Sequence, residues 1–269
     1  MQQPIAILDS GVGGLTVVKE IMRQLPREKI IYFGDTARTP YGPRPAEEVT
    51  RFTRQIVDYL IQFRPKMIVI ACNTATAVAL EDIRSRVAIP VVGVIHPGAR
   101  AANGRTLTGN VGVIGTEGTI RSGAYEHALK QLSPSINVIS LACPRFVPLV
   151  EQGNFRSQET QEVVETSLHP LKAHHIDTLI LGCTHYPFLS DTIASVMGRE
   201  VMLISSADET AREISTILHD RNRLTREGEL PVHQFFCSGD SRMFRMIAQQ
   251  WLGEQIELTP VVWQVPKIG

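Results

Sequence analysis

Two thiols stand at matching places in this chain. Met67-Ile68-Val69-Ile70-Ala71-Cys72-Asn73-Thr74 and Thr178-Leu179-Ile180-Leu181-Gly182-Cys183-Thr184-His185 each run from apolar, largely β-branched residues into a small residue, a cysteine and hydrogen-bonding side chains. An apolar run of this length bounded by polar residues reads as a buried strand of a parallel sheet. Ligands of open α/β sheets bind just beyond the carboxyl ends of such strands. Each half of the chain thereby offers one thiol where a ligand would sit. Two thiols on opposite sides of a carbon acid can remove a proton from one face and return one to the other. A thiol with an ordinary pKa of about 8.5 serves as base or acid near neutrality after a modest shift, and two such groups titrate as a coupled pair. A cysteine taken singly is more often a small buried apolar residue, which is the reading for Cys143 and Cys237. The matching contexts of Cys72 and Cys183 set that pair apart.

Further candidates surround the thiols. Asp9-Ser10-Gly11-Val12-Gly13-Gly14 follows an apolar run and opens a helix; glycines let backbone N–H groups approach an anion, and a helix start favours negative charge. After Gly11 and Gly13 a dinucleotide fingerprint would need glycine at Thr16, so a carboxylate suits the loop better than a pyrophosphate. Asp9 is readable equally as a helix cap or as a group that orients a substrate ammonium or tunes a thiol. His185 could share a proton with Cys183; alone it reads as a surface or capping histidine. Glu151, in Pro148-Leu149-Val150-Glu151-Gln152-Gly153, is expected in a loop after a strand, as a solvated carboxylate or a second proton-transfer group. Tyr41-Gly42, between prolines, forms a rigid turn whose backbone could clamp a small polar ligand. His96, before Pro97, reads as hinge or structural.

These residues need a frame. Strand patterns at 5–9, 30–33, 67–72 and 91–94 alternate with helix patterns at 15–25, 46–63 and from Ala75, with a loop from Gly34 to Pro45. A second series runs through strands at 111–115, 136–141, 178–183 and 201–204 and a helix at 158–171, and the remainder supplies a helix, a strand at 234–237, a helix through Trp251 and a tail. Such alternation implies βαβ units and largely parallel sheets. The expected fold is α/β: two similar doubly wound parallel-sheet domains related by a pseudo-twofold, with the site in the cleft between them. The domains are 1–97 plus 208–269, carrying Cys72, and 98–207, carrying Cys183; a single continuous sheet is the competing arrangement.

Bulk properties narrow the classes. The 269 residues carry 27 Lys+Arg and 27 Asp+Glu, so zero net charge gives no electrostatic reason to expect nucleic acid or an anionic membrane. No apolar stretch reaches the roughly 18–20 residues of a membrane span. The opening Met1-Gln2-Gln3-Pro4-Ile5 lacks the character of a signal peptide. Four cysteines with no CxxC pair and no zinc-ligand spacing suggest reduced thiols. A cytoplasmic protein is expected.

Taken as a set, Asp9-Ser10-Gly11-Val12-Gly13-Gly14-Leu15-Thr16, Gly34-Asp35-Thr36 with Pro40-Tyr41-Gly42, Ala71-Cys72-Asn73-Thr74-Ala75, and Leu181-Gly182-Cys183-Thr184-His185-Tyr186-Pro187 resemble the cofactor-independent glutamate racemases. The resemblance runs in order over essentially the whole chain. It implies interconversion of L- and D-glutamate for peptidoglycan synthesis, with neither pyridoxal phosphate nor metal. By it Cys72 takes the α-proton of D-glutamate and Cys183 that of L-glutamate, assisted by Asp9, Glu151 and His185. Asp9-Ser10, Tyr41-Gly42, Asn73-Thr74 and Thr184-His185 contact the substrate, with Thr116 and Thr119 adding contacts. It implies a homodimer without nucleic-acid or membrane partners. The alternatives are an aspartate or hydantoin racemase with another pocket; an amino-acid-binding module, which needs no paired thiols; and a thiol oxidoreductase, which would place its cysteines close in sequence.

Overall fold

Both series of apolar runs fold as expected into parallel strands, and they make two sheets, which rules out the single continuous one. The computed structural model describes residues 3–227, 230–253 and 257–262. Met1, Gln2, 228–229, 254–256 and 263–269, which include parts of the expected N-terminal stretch and of the C-terminal tail, lie outside the described residues.

The first series comprises β1 (Ile5–Asp9), α1 (Leu15–Gln24), β2 (Ile30–Gly34), α2 (Ala46–Leu60), β3 (Met67–Ile70), α3 (Asn73–Arg86), β4 (Val91–Gly93) and α4 (Ile95–Asn103). The second comprises β5 (Asn110–Gly115), α5 (Glu117–Arg121), α6 (Ala124–Leu132), β6 (Asn137–Ala142), α7 (Phe146–Glu151), α8 (Gln158–Leu168), β7 (Thr178–Gly182), α9 (Ser190–Met197) and β8 (Met202–Ser205). The chain closes with α10 (Ser206–Asp220), β9 (Gln234–Cys237), α11 (Ser241–Leu252) and β10 (Leu258–Pro260). The six-stranded sheet has the order β10-β9-β2-β1-β3-β4, and the four-stranded sheet β6-β5-β7-β8. Each series therefore uses one plan: the second strand on one side of the first, the third and fourth on the other. That order makes a switch point beside the first strand, where a crevice opens at the carboxyl ends.

Burial on both faces explains the unbroken apolar runs. In the first lobe, Ile5, Ile7, Met67 and Val69 pack on one face beneath α1, α10 and α11, while Ala6, Leu8, Ile68 and Ile70 pack on the other beneath α2 and α3, as the two-residue strand period requires. In the second lobe, Leu179 and Leu181 face α7, α8 and α9, while Val111, Val113 and Ile180 face α4 and α6. Helix α10 packs against α1 and α4.

Several elements depart from the sequence reading. Glu151 is the last residue of α7, not part of a loop. Pro97 lies inside α4, with His96 exposed in the helix's first turn. Proline fits there because its missing N–H would be unpaired in any helix. Helix α3 begins at Asn73, and β10, within the tail, pairs parallel with β9.

At the opposite end of the first sheet, Lys66 forms a buried ion pair with Glu28. Lys66 Nζ also donates to the Arg223 carbonyl at 2.8 Å, and Glu28 Oε1 accepts from Thr225 N–H at 2.8 Å. Lys66→Met should cost about 3–5 kcal/mol of unfolding free energy, because Glu28 would be left buried and uncompensated; urea unfolding of the variant against wild type measures it.

Candidate active site

The equivalent strand ends of the two lobes face each other. Asp9-Ser10 follows β1 and Cys72-Asn73 follows β3; Thr116 follows β5 and Cys183-Thr184 follows β7. Cys72 and Cys183 line one cavity together with Ser10, Asn73, Thr184 and His185. Its free volume is only about 20 Å³, on the scale of one water. A hollow of about 1070 Å³ lies elsewhere, lined by Gln3, Lys29, Phe63 and Leu230. It offers no thiol, so chemistry rather than size identifies the site.

Local structure fixes each thiol. Cys72 precedes α3, and its Sγ accepts from Ala75 N–H at 3.5 Å and stands 3.7 Å from Ser10 Oγ. A helix start favours a thiolate, but burial and the nearby Asp9 carboxylate outweigh it and push the Cys72 thiol up to about 12. Cys183 Sγ lies 3.8 Å from His185 Nδ1, whose Nε2 lies 3.3 Å from Glu151 Oε1. Burial alone would lower the His185 pKa; the Cys183 sulfur and the Glu151 carboxylate win and raise it to about 10. The same imidazolium, helped by a hydrogen bond from Thr39 Oγ1 at 3.1 Å, holds Glu151 below its ordinary value although burial opposes it. Asp9, wholly buried, is raised by desolvation against the opposing His185 charge and the N–H groups of Gly11 and Gly14. The two sulfurs thus have unlike surroundings: a carboxylate near Cys72, an imidazolium beside Cys183.

Several polar contacts around the cavity cross from one lobe to the other. Thr184 Oγ1 donates to Asp9 Oδ2 at 3.1 Å, and Gly118 N–H donates to the Gly42 carbonyl at 2.8 Å. Thr74 Oγ1 meets Thr116 Oγ1 at 2.9 Å and Thr119 Oγ1 at 3.2 Å. Tyr125 OH donates to Asn73 Oδ1 at 2.7 Å. Tyr41 differs from the other candidates: its hydroxyl is engaged by Asp35 within the first lobe, so the Tyr41-Gly42 turn presents mainly backbone to the cleft. Every residue to which the resemblance gives a role is thereby gathered at or beside the cavity, including Glu151, whose contacts with His185 and Thr39 displace the solvated reading; His96, exposed on α4, is not among them. Thr39, Tyr125 and the cavity-lining Val147 were not singled out; nothing in their local sequence marks them, because their partners lie far along the chain. Among the described residues, no group of three or more His, Cys, Asp or Glu side chains could hold a metal ion, and no helix is long and apolar enough to cross a membrane.

A family model described as Asp/Glu/Hydantoin racemase matches residues 6–214. The chain belongs to the Asp/Glu/Hydantoin racemase family. It is 56% identical over 257 residues to a glutamate racemase of Bacillus cereus, covering 96% of each chain. It superimposes on the crystal structure of a glutamate racemase isoform from Bacillus anthracis with a TM-score of 0.94 and 49% identity, covering 96% of this chain and 97% of that one. A glutamate racemase from Francisella tularensis, crystallised with D-glutamate, gives 0.90 and 35% identity, with 97% of each chain covered.

The glycine loop sits so close to the second lobe that a side chain at Gly13 has no room. A Cβ there would lie 2.5 Å from both His185 Nδ1 and Thr184 Oγ1. Gly13→Ala should lower kcat/KM by about 100-fold, the scale expected when a reacting group moves by roughly 1 Å; steady-state racemase kinetics checks it. The raised His185 pKa predicts an imidazolium that persists through neutral pH and titrates near 10. Its folded value lies above the ordinary 6.5, so the stability it lends is complete below about 6.5 and is lost as pH rises through about 10. A ¹⁵N NMR titration of the ring, with unfolding measured in parallel, reads both.

Proposed function

We propose that this protein interconverts L- and D-glutamate by moving one proton across the α-carbon between Cys72 and Cys183. One observation carries the reading: both sulfurs, at equivalent strand ends of opposite lobes, line a single cavity. The relatives named glutamate racemase, matched along nearly their whole length, favour glutamate as the substrate.

The charge distribution suggests how a cycle runs. The Cys72 thiol, kept protonated by burial and Asp9, is the acid. The sulfur that must then act as base is Cys183, the one with the imidazolium beside it. For L-glutamate, the α-C–H bond breaks toward Cys183 Sγ, the electron pair remains on a planar carbanion conjugated with the carboxylate, and Cys72 Sγ–H delivers a proton to the other face. The product is D-glutamate, with thiol at Cys183 and thiolate at Cys72. That state is the one needed to take the α-proton of D-glutamate, so the reverse reaction uses the form the forward reaction leaves. Asp9, buried near Cys72, serves the substrate ammonium or that sulfur, while His185 and Glu151 serve Cys183. The hydroxyls of Ser10, Thr74, Thr116, Thr119 and Thr184, the amide of Asn73 and the backbone of Tyr41-Gly42 suit two carboxylates, where fixed donors stabilise developing charge. Excluding water guards the carbanion from stray protons.

The space of about 20 Å³ is too small for glutamate, so binding requires the lobes to part and close again. In this reading the moving units are 1–97 plus 208–269 and 98–207. The resemblance extends it to a cytoplasmic homodimer whose D-glutamate enters peptidoglycan synthesis without cofactor or metal.

Cys72→Ser and Cys183→Ser should each lower kcat by about 10²–10⁴-fold, the usual contribution of a positioned acid or base, while glutamate binding stays measurable by calorimetry. In deuterated water the wild-type protein should place deuterium at the α-carbon with nothing added. Racemisation retained in both serine variants, or activity that needs pyridoxal phosphate, would contradict the two-thiol mechanism; chiral chromatography with glutamate and with aspartate reads the substrate.

A further inference from the structure

Behind the cavity, a row of polar side chains joins three segments that are remote in sequence. Tyr125, on α6, is buried, and its hydroxyl donates to Asn73 Oδ1 at 2.7 Å, at the start of α3 in the other lobe. Ser206, the first residue of α10, lies beside the Tyr125 hydroxyl. A Cβ placed on Gly98 would lie 3.0 Å from Ser206 Cβ and 3.3 Å from Tyr125 OH, so the three meet with no room to spare. The Tyr125 ring packs against the chain at Gly182, where a Cβ would come within 3.0 Å of Cε2, one residue before Cys183.

An asparagine amide has two orientations of nearly equal shape, with donor and acceptor exchanged. A tyrosine hydroxyl could serve either by accepting from the NH₂ or by donating to the oxygen. Here the tyrosine donates, and Asn73 Oδ1 accepts its proton. The NH₂ of Asn73 is then turned away from Tyr125, and Asn73 lines the cavity. Among the described residues Nδ2 is buried without a hydrogen-bond partner. A donor left in that condition is costly, and a carboxylate oxygen in the cavity would satisfy it.

We infer that Tyr125 is a positioning residue for the substrate carboxylate: through its hydroxyl it fixes the Asn73 amide with its NH₂ toward the bound ligand. The inference rests on the functional reading above in taking an acidic amino acid as that ligand. Its effect passes through Asn73.

A double-mutant cycle tests this. Tyr125→Phe removes one oxygen and keeps the ring against Gly182. It should raise KM for glutamate about tenfold and leave kcat within about twofold, the pattern of an interaction equal in ground and transition states. In an Asn73→Ala background the same change should alter KM by less than about twofold, because coupled residues do not add. An equal KM increase in both backgrounds, no KM change in the wild-type background, or a fall in kcat alone would overturn the inference, the last pointing to disturbance of Cys183 through Gly182. Should Tyr125→Phe fold poorly, Ser206→Ala serves instead: a smaller KM rise that vanishes with Asn73→Ala supports the row, and a rise that persists refutes it. Failure of the wild-type protein to racemise glutamate or aspartate would strike the functional reading. The row would then be read from the NMR signals of the Asn73 side-chain amide, which Tyr125→Phe should shift and which, if unmoved, would refute it.

Discussion

Near-complete removal of water from around two sulfurs, a carboxylate and an imidazole is the condition on which the other properties of the site depend. Cys72, Asp9, Cys183 and His185 are all buried around a space of about 20 Å³. In such a place each charge is governed by its immediate neighbours. Burial keeps the proton on Cys72, where the nearest charge is the carboxylate of Asp9. Burial is overruled at His185, where sulfur and carboxylate flank the ring. One desolvated volume therefore holds two protons for opposite reasons.

Such a volume needs walls that bring polar strand ends together while the apolar mass stays behind them. The shared strand order does this. The first and third strands of each series are adjacent and in parallel register, Leu8 beside Ile70 and Gly115 beside Gly182. Their carboxyl ends deliver Asp9 and Cys72 from one lobe and Thr116 and Cys183 from the other. What spans the gap is mostly hydroxyl, carboxylate, amide and backbone, in pairs such as Thr184 with Asp9 and Gly118 with Gly42. Hydrogen bonds of this kind are worth little net against water, whereas away from the cavity Phe188 of the second series packs on Trp251 of α11 at 4.2 Å between ring centroids.

The legible part of the sequence was the part written in local pattern. Strands buried on both faces read as unbroken apolar runs, and the paired cysteine contexts marked their ends. The glycine loop after Asp9 showed its turn chemistry directly. The surroundings of Glu151 were not legible: α7 is short and carries Pro148 in its first turn, where proline is tolerated but looks like a breaker. Pro97 concealed the start of α4 in the same way. Thr39 and Tyr125 escaped notice for a different reason. Their partners, Glu151 and Asn73, lie 112 and 52 residues away, and each pairing exists only across the contact between lobes. Tyr41 was found as a position but not as a geometry, since its hydroxyl turns inward to Asp35.

The unlike settings of Cys72 and Cys183 carry a consequence for the two directions of the proposed reaction. Mirror-image amino acids have equal free energies in water, so their equilibrium constant is one whatever the catalyst. The ratio kcat/KM must then be identical for the two enantiomers, however lopsided the cavity. Asymmetry between the two faces can appear only as a matched displacement of KM and kcat, one enantiomer held tighter and turned over more slowly in the same proportion. Departures from perfect twofold likeness between the lobes thus set which hand saturates the protein first, and never which hand it prefers to make.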